Sequence, residues 1–216
     1  MFLLSVLAGM MIGLGGIIYL SIGNIIGALL FSIGLVTIIT FNLNLFTGKA
    51  GLLATKKITF RKLFLVWLGN MLGCAIVAKL FTITYAGQEL IDMARHIMFV
   101  RLSNLWYENM ILGIFCGILM YIAVNIYTKN ALITSACVAS FILCGMNHCI
   151  ADMFYYFMSV KSYWAFDGFA VIIFTTIGNI IGCNIIPMFL CQSQKSSASS
   201  SSKMSSSSFQ TSESTS

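Results

Sequence analysis

Long apolar runs, separated by short polar stretches, divide most of this chain into six segments. Four of the runs are unbroken and cover about residues 2–22, 64–85, 105–127 and 166–191. A helix needs about 20 mostly apolar residues to cross the hydrocarbon core of a bilayer. The pattern therefore predicts transmembrane helices at these places.

The other two runs are interrupted by polar residues and glycines. Segment two is apolar over residues 24–40 and then reads F-N-L-N-L-F-T-G-K-A-G over residues 41–51. Segment five is apolar over residues 131–144, meets G-M-N-H-C at residues 145–149 and then continues as a second apolar stretch. Non-helical backbone is tolerated at membrane depth only where it is buried in protein or lines a cavity. The two interruptions are therefore the places where we expect function.

A short motif recurs in segments three and six. W-L-G-N-M-L-G-C occupies residues 67–74 and T-I-G-N-I-I-G-C occupies residues 176–183, so that both share G-N-x-x-G-C. Each copy closes a half of the chain made of three spans, and three spans per half insert the second half upside down relative to the first. The sequence thus predicts an all-α membrane protein of six transmembrane helices, arranged as two inverted three-helix repeats with helices 2 and 5 broken. Such repeats are typical of transporters and channels.

Composition and charge argue against a water-soluble fold and a nucleic-acid partner. Of the 216 residues, 59% are apolar and 8% are charged, against roughly 25% charged in soluble domains. The net charge is +6, but the basic residues gather at the ends of apolar runs and form no stripe interleaved with aromatics. Five lie between segments two and three: Lys49, Lys56, Lys57, Arg61 and Lys62. By the positive-inside rule, this charge distribution predicts a multi-pass plasma-membrane protein, in contact with lipid, with both termini in the cytoplasm.

Serine dominates the chain from residue 193 onward. Such a segment cannot bury enough apolar surface to fold. We therefore expect a six-helix transmembrane domain over residues 1–192 and a disordered cytoplasmic tail over residues 193–216.

The two interruptions carry the candidate functional residues. His148 is the ionisable group placed centrally, and an ionisable side chain at membrane depth is by default a functional candidate. The alternative is a neutral histidine that donates to a nearby carbonyl. Asp152 lies on the same helical face, where it either favours a protonated imidazole or caps the half-helix. Thr47 brings a hydroxyl from the other interruption, and Asn147 directly precedes the histidine.

Apolar side chains flank both interruptions. Leu45 and Phe46 give bulk beside Thr47, and a hydrophobic constriction restricts bare ions while it admits neutral or partly dehydrated species. Phe31 and Phe141 lie in the half-helices that lead to the interruptions. Ordinary core or lipid contact is the alternative role for these two rings.

Metal and enzyme chemistry have weaker support. Cys144, His148 and Cys149 offer three donors, without the fourth ligand or the regular spacing of a zinc site. The seven cysteines are scattered at membrane depth, so we interpret them as small apolar side chains and not as a disulfide framework. His148 and Asp152 lack the third catalytic group that an intramembrane enzyme would need. We expect no cofactor and no metal.

Three motifs resemble those of the formate/nitrite transporter family. They are L-F-T-G at residues 45–48, G-M-N-H-C-I-A-D-M at residues 145–153 and G-N-I-I-G in segment six, and the resemblance extends over residues 4–190. It implies an aquaporin-like fold, a homopentamer with one pore per protomer, and passage of formate, nitrite, hydrosulfide, acetate or lactate.

The resemblance also implies roles for single residues. Thr47 matches the loop threonine of the family and His148 its central histidine. Leu45 and Leu35 fall on the cytoplasmic and periplasmic sides of the constrictions. An outer aromatic gate would consist of Phe31 and Phe141.

Four positions depart from the family pattern. Arg101 stands where the family usually has a vestibule lysine, and an arginine keeps the positive charge but cannot pass a proton on. Gly117 stands where many members have an asparagine. Asn147 and Asp152 replace the usual glutamate and asparagine around the histidine, which changes its electrostatic surroundings.

The predicted function is permeation of a small monovalent anion, or of its conjugate acid, assisted by His148. Arg101 would attract the anion into the vestibule. A bare anion between apolar rings is costly, so His148 and Thr47 would stabilise or protonate it there. A neutral-solute or ammonium-type pore is the alternative.

Overall fold

The computed structural model describes residues 1–128, 130–160 and 165–210, with side chains described as far as residue 193, and the regular structure within these residues is helical. The helices are α1 (Phe2–Ile22), α2 (Ile25–Thr40), α3 (Phe46–Ala50), α4 (Phe60–Thr82), α5 (Tyr85–Ser103), α6 (Trp106–Ile126), α7 (Ala131–Leu143), α8 (Cys149–Ser159) and α9 (Ala165–Gln210).

Several of these helices are apolar enough to cross a membrane, as expected of a multi-pass membrane protein. Among the described residues, four are also long enough: α1, α4, α6 and the part of α9 over Ala165–Ser193. They coincide with the four unbroken runs of the sequence. Helix α4 begins earlier than predicted, because Thr59 caps it and the basic residues of its first turn are exposed.

The last helix continues into the serine-rich segment. It is described as far as Gln210, whereas its apolar span ends at Ser193. The domain boundary at residue 192 and the disorder of residues 193–216 stay predictions.

The chain turns in the same way after α2 and after α7. Asn42, with φ of 51°, and Gly145, with φ of 68°, adopt the left-handed conformation just beyond the helix end. The next amide, that of Leu43 in one case and Met146 in the other, then donates to a carbonyl five residues back, at 2.9 Å in both. This closure satisfies carbonyls at a helix end and sends the chain into α3 and α8.

The charged residues Glu89, Asp92 and Arg95 suggest that residues 87–101 lie outside the membrane core, yet one face of helix α5 packs into the interior of the protein. Its Ala94, Met98 and Arg101 are buried, and the helix packs against α8. The polar residues that suggested an external segment, such as Asp92, lie on its exposed face. An apolar stripe at helical spacing therefore brings a buried arginine to the His148 region.

The glycines of the repeated motif let helices cross closely. A Cβ atom on Gly73 of α4 would overlap the carbonyl of Val6 in α1, and one on Gly178 of α9 would overlap the carbonyl of Met110 in α6. Small residues at helix crossings allow such backbone approach within a membrane. These two crossings hold together the framework around the interruptions.

Candidate functional site

Thr47 and His148, one from each interruption, meet in the interior. Thr47 Oγ1 lies 3.0 Å from His148 Nε2, and both residues are only 1% exposed. His148 is also the N-cap of α8, since its Nδ1 accepts the amide hydrogen of Ala151 at 3.2 Å. In a neutral imidazole one nitrogen accepts and the other donates. Nε2 therefore carries the hydrogen and donates it to Thr47, which leaves the threonine hydroxyl hydrogen for another acceptor.

Asn179 of the motif in α9 fixes the backbone on both sides of His148. Its Nδ2 donates to the carbonyls of Asn147 at 2.9 Å and Gly113 at 2.8 Å. Its Oδ1 accepts the amide hydrogen of Cys149 at 2.9 Å. A buried amide side chain thus holds the backbone on either side of His148.

Asn70 of the motif in α4 does the same for the other interruption. Its Nδ2 donates to the carbonyls of Asn44 at 2.9 Å and Ser5 at 2.7 Å. Its Oδ1 accepts the amide hydrogen of Phe46 at 2.8 Å, next to Thr47. The sequence showed the repeat, but it did not show that its asparagines hold the two loops.

The motif cysteines connect each half of the chain to the short helix of the other half. Cys74 Sγ lies 3.3 Å from the carbonyl oxygen of Ile150, and Cys183 Sγ lies 3.3 Å from that of Thr47. Both side chains are buried, and both cysteines are free thiols. They act as small packing groups, in keeping with their interpretation as apolar side chains.

Arg101 of α5 is tied to the loop before His148. Its two terminal nitrogens donate to the carbonyls of Gly145 at 2.5 Å and Met146 at 3.1 Å. Its Nε lies 3.5 Å from Oδ1 of Asp152, and the two residues are 9% and 1% exposed. A buried ion pair therefore stands beside the histidine.

Asn147 is hydrogen-bonded to neighbours of this ion pair and not to the pair itself. Its Nδ2 donates to Oδ1 of Asn109 at 2.7 Å and lies 3.4 Å from Oγ1 of Thr175. Asn109 in turn donates to the carbonyl of Arg101 at 2.9 Å. Sequence reasoning missed Asn109 and Thr175, although isolated polar residues inside apolar segments were the signal for them.

An outer cavity of about 210 Å³ reaches this group. Its lining includes Arg101, Asp152, His148 and Phe141. The Phe141 ring stacks on the His148 ring with centroids 5.4 Å apart, and Phe31 meets Phe141 edge-on at 6.2 Å. The two phenylalanines and the histidine are buried. Phe141 and His148 line the cavity, and Phe31 packs against Phe141.

A second, smaller cavity of about 120 Å³ lies on the other side. Leu35 and Leu45 line it, together with Gly48, Lys49 and Val124. Both leucines are nearly inaccessible, at 1% and 2% exposure. The two predicted leucines therefore share one cavity, separate from the one that His148 lines.

Phe46 and Gly117 lie elsewhere. The Phe46 side chain lines an apolar groove with Leu63 and Trp67, and neither of the two cavities above. A Cβ atom on Gly117 would meet the backbone oxygen of Asn179 at 2.6 Å. The helix crossing thus leaves no room at Gly117 for the asparagine that many family members carry.

The three donors considered for a metal do not converge. Cys144 is exposed, whereas Cys149 and His148 are buried. Within residues 1–128, 130–160 and 165–210, no group of three or more His, Cys, Asp or Glu side chains is placed to hold a metal ion.

Comparison with characterised proteins shows relatives over most of the chain. The chain is 27% identical to the formate channel FocA of Haemophilus influenzae over 154 residues, which cover 61% of this chain and 52% of that protein. It is 25% identical to FocA of Escherichia coli K12, over 87% of this chain and 79% of that protein. The chain thus matches about half the length of the first relative.

Solved structures share the fold. One described as a pentameric formate channel with formate bound has a TM-score of 0.73 and 24% identity, over 88% of this chain and 94% of its own. An FNT family ion channel has a TM-score of 0.76 and 21% identity, over 86% of both chains. The sequence profile of the formate/nitrite transporter family matches residues 1–192. The chain therefore belongs to the formate/nitrite transporter family.

Proposed function

We propose that this protein is a channel for small monovalent anions of weak acids, with formate as the first candidate and nitrite and hydrosulfide as further ones. The observation that carries the proposal is the buried contact between Thr47 and His148, which lies between a cavity lined by His148 and a second one lined by Leu45 and Gly48 beside Thr47. The relatives described as formate channels support the choice of formate.

The anion enters from the outer cavity. Arg101 supplies a permanent positive charge there, and the amides at the start of α8 add the partial positive charge of a helix N-terminus. His148 and Asp152 line the same cavity. An anion in this cavity thus approaches the central histidine from the cation's side.

The apolar layers make protonation or hydrogen bonding necessary. Phe31 and Phe141 on one side, and Leu35 and Leu45 on the other, offer nothing that replaces the water of a bare anion, and the cost of that loss is high. Nε2 of His148 and the hydroxyl of Thr47 are the donors between them.

The hydrogen bond between His148 and the Ala151 amide decides whether the ring protonates the anion or only donates a hydrogen bond to it. Protonation of Nδ1 would set it against the amide hydrogen of Ala151, with loss of the hydrogen bond that caps α8. The neutral ring keeps that bond and still donates from Nε2. In our proposal the neutral imidazole holds the anion, and a proton that crosses with it travels on the substrate as its conjugate acid.

The two halves of the chain form inverted repeats, with α2 and α3 as one broken span and α7 and α8 as the other. The equivalent hydrogen bonds of Asn70 and Asn179 support this arrangement. The crossed contacts of Cys74 and Cys183 support it too. Six spans then follow, which puts both termini on the same side, and the basic linker before α4 assigns that side to the cytoplasm of a plasma-membrane protein.

The working unit is a homopentamer surrounded by lipid, with one pathway in each protomer. The solved relative described as a pentameric formate channel supports this assembly. Exposed apolar side chains on α1 and α4, among them Leu3, Phe60 and Phe64, are available for contact with lipid or a neighbouring protomer.

Uptake into proteoliposomes tests the function class. Vesicles with the purified protein should take up formate, nitrite and hydrosulfide faster than empty vesicles do. The uptake rate of each anion should saturate as its concentration rises, and an added uncharged solute should not compete with it. Equal uptake of ammonia and formate would instead favour the neutral-solute pore. Absence of uptake above empty vesicles for all three anions would contradict the proposal.

A further inference from the structure

The carboxylate of Asp152 is buried and short of partners. The residue is 1% exposed, and neither of its oxygens meets a hydrogen-bond donor in good geometry among the described residues. The charge beside it is the guanidinium of Arg101, with Nε 3.5 Å from Oδ1. The hydroxyl of Thr175 is its other polar neighbour. An ionised carboxylate is costly to bury unless it is paired and hydrogen-bonded, and here the charge of Arg101 is the main compensation.

Arg101 is fixed in place independently of Asp152. Its terminal nitrogens hold the carbonyls of Gly145 and Met146, so that only Nε faces the carboxylate. The cation therefore stays in the outer cavity whether Asp152 is ionised or protonated. Within the pair, the net charge that an entering anion meets is set by Asp152, because arginine does not deprotonate.

We propose that Asp152 sets the rate of anion entry by controlling the net charge of the outer cavity. This inference rests on the proposed function. Ionised, it neutralises Arg101, and the cavity attracts anions weakly. Protonated, it leaves the guanidinium charge to the entering anion. Acid on the outer side thus speeds entry through the protein itself, in addition to its effect on the substrate.

Other titratable groups lie near the Asp152 carboxylate, and the test must distinguish their titration from that of Asp152. His148 lies on the same helix, and Cys116, Cys149 and Tyr155 are near enough to interact with Asp152 electrostatically. Thiols and phenols ordinarily titrate well above neutral pH. Tyr19 and His96 also line the cavity, so His96 is the group whose titration most needs a control.

Asp152→Asn removes the charge with little change in shape and tests the proposal. Formate uptake is measured for the variant and the wild type from neutral pH down to about pH 4, the ordinary pKa of an aspartate side chain. At a given pH the protonation of formate is the same for both proteins, so it cancels in the ratio of their uptake rates. We expect the variant to be about tenfold faster at neutral pH, the low end of electrostatic steering in a cleft, and equal to the wild type in acid.

Two control variants show whether the effect belongs to Asp152 and Arg101. Asp92→Asn removes an exposed acid from α5 and should leave the wild-type pH profile unchanged. The Asp152→Asn comparison on a His96→Asn background should give the same ratio at each pH. A ratio that stays constant across pH overturns the inference, whereas absence of wild-type uptake overturns the proposed function itself.

A measurement on the wild type alone gives a second test, which holds even if the variant does not assemble. Salt screens attraction by a net charge, so added inert salt should slow formate uptake in acid and have little effect at neutral pH. Equal salt sensitivity at both pH values would overturn the inference.

Discussion

In the proposed pathway, the hydrogen-bonded pair Thr47 and His148 supplies the central donors. The Ala151 amide fixes the neutral tautomer of the ring, so that Nε2 faces the threonine. An anion that arrives there can receive hydrogen bonds from both side chains without any proton leaving the protein. Sequence analysis identified both residues and their opposition, but it did not reveal the Ala151 bond, because that bond depends on the backbone of the loop.

Thr47→Val removes the hydroxyl and keeps the shape of the side chain. A hydrogen bond to a charged group contributes about 1.5–3 kcal/mol, so formate uptake should fall about tenfold or more. Thr40→Val is the matched control, because this hydroxyl pairs with Tyr127 at the exposed end of α2. Equal uptake by Thr47→Val and wild type would contradict the role of the hydroxyl.

At the level of elements, the motif asparagines act as clamps on the two loops. The repeated G-N-x-x-G-C was visible in the sequence and predicted the paired halves. The loop bonds of Asn70 and Asn179 were not predictable, because a side chain in α4 or α9 reaches its loop only through tertiary packing. The same limit applied to Arg101: its position was identified from the resemblance, and its pairing with Asp152 came from the packing of α5 on α8.

Asn70→Asp and Asn179→Asp should both destabilise the fold. Each exchange sets a carboxylate oxygen against two backbone carbonyls that now receive N–H donors, and each unsatisfied buried group costs about 1–3 kcal/mol. Thermal unfolding in detergent should show a similar lowering of the transition temperature for both variants.

Asn24→Asp is the control for the asparagine exchange. Asn24 caps α2 by accepting amide hydrogens, and aspartate caps helices as well as asparagine does. Its transition temperature should match that of the wild type. A fall as large as in the two clamp variants would point to a general effect of added charge.

At the scale of the whole molecule, apolar periodicity predicted the four long helices and the places where two others stop. It did not reveal the buried face of α5. The serine-rich segment and the arrangement of protomers lie beyond what apolar runs determine.

The proposed assembly predicts a homopentamer in gentle detergent. Native mass spectrometry should give one main species with five copies of the chain. Retained lipid would appear as small mass increments on that species. A dominant monomer or dimer with intact uptake activity would contradict the pentamer while leaving the pathway within one protomer in place.

The most direct test of the central claim is formate uptake by His148→Asn proteoliposomes, measured beside the wild type. Asparagine is too short to keep both the Ala151 cap and the contact with Thr47. We predict a fall in uptake of about tenfold or more, the value of a lost hydrogen bond to a charged group. His96→Asn, the same exchange at a histidine that lines the outer cavity away from Thr47, should lower uptake less than His148→Asn does. Unchanged uptake in His148→Asn would contradict the account.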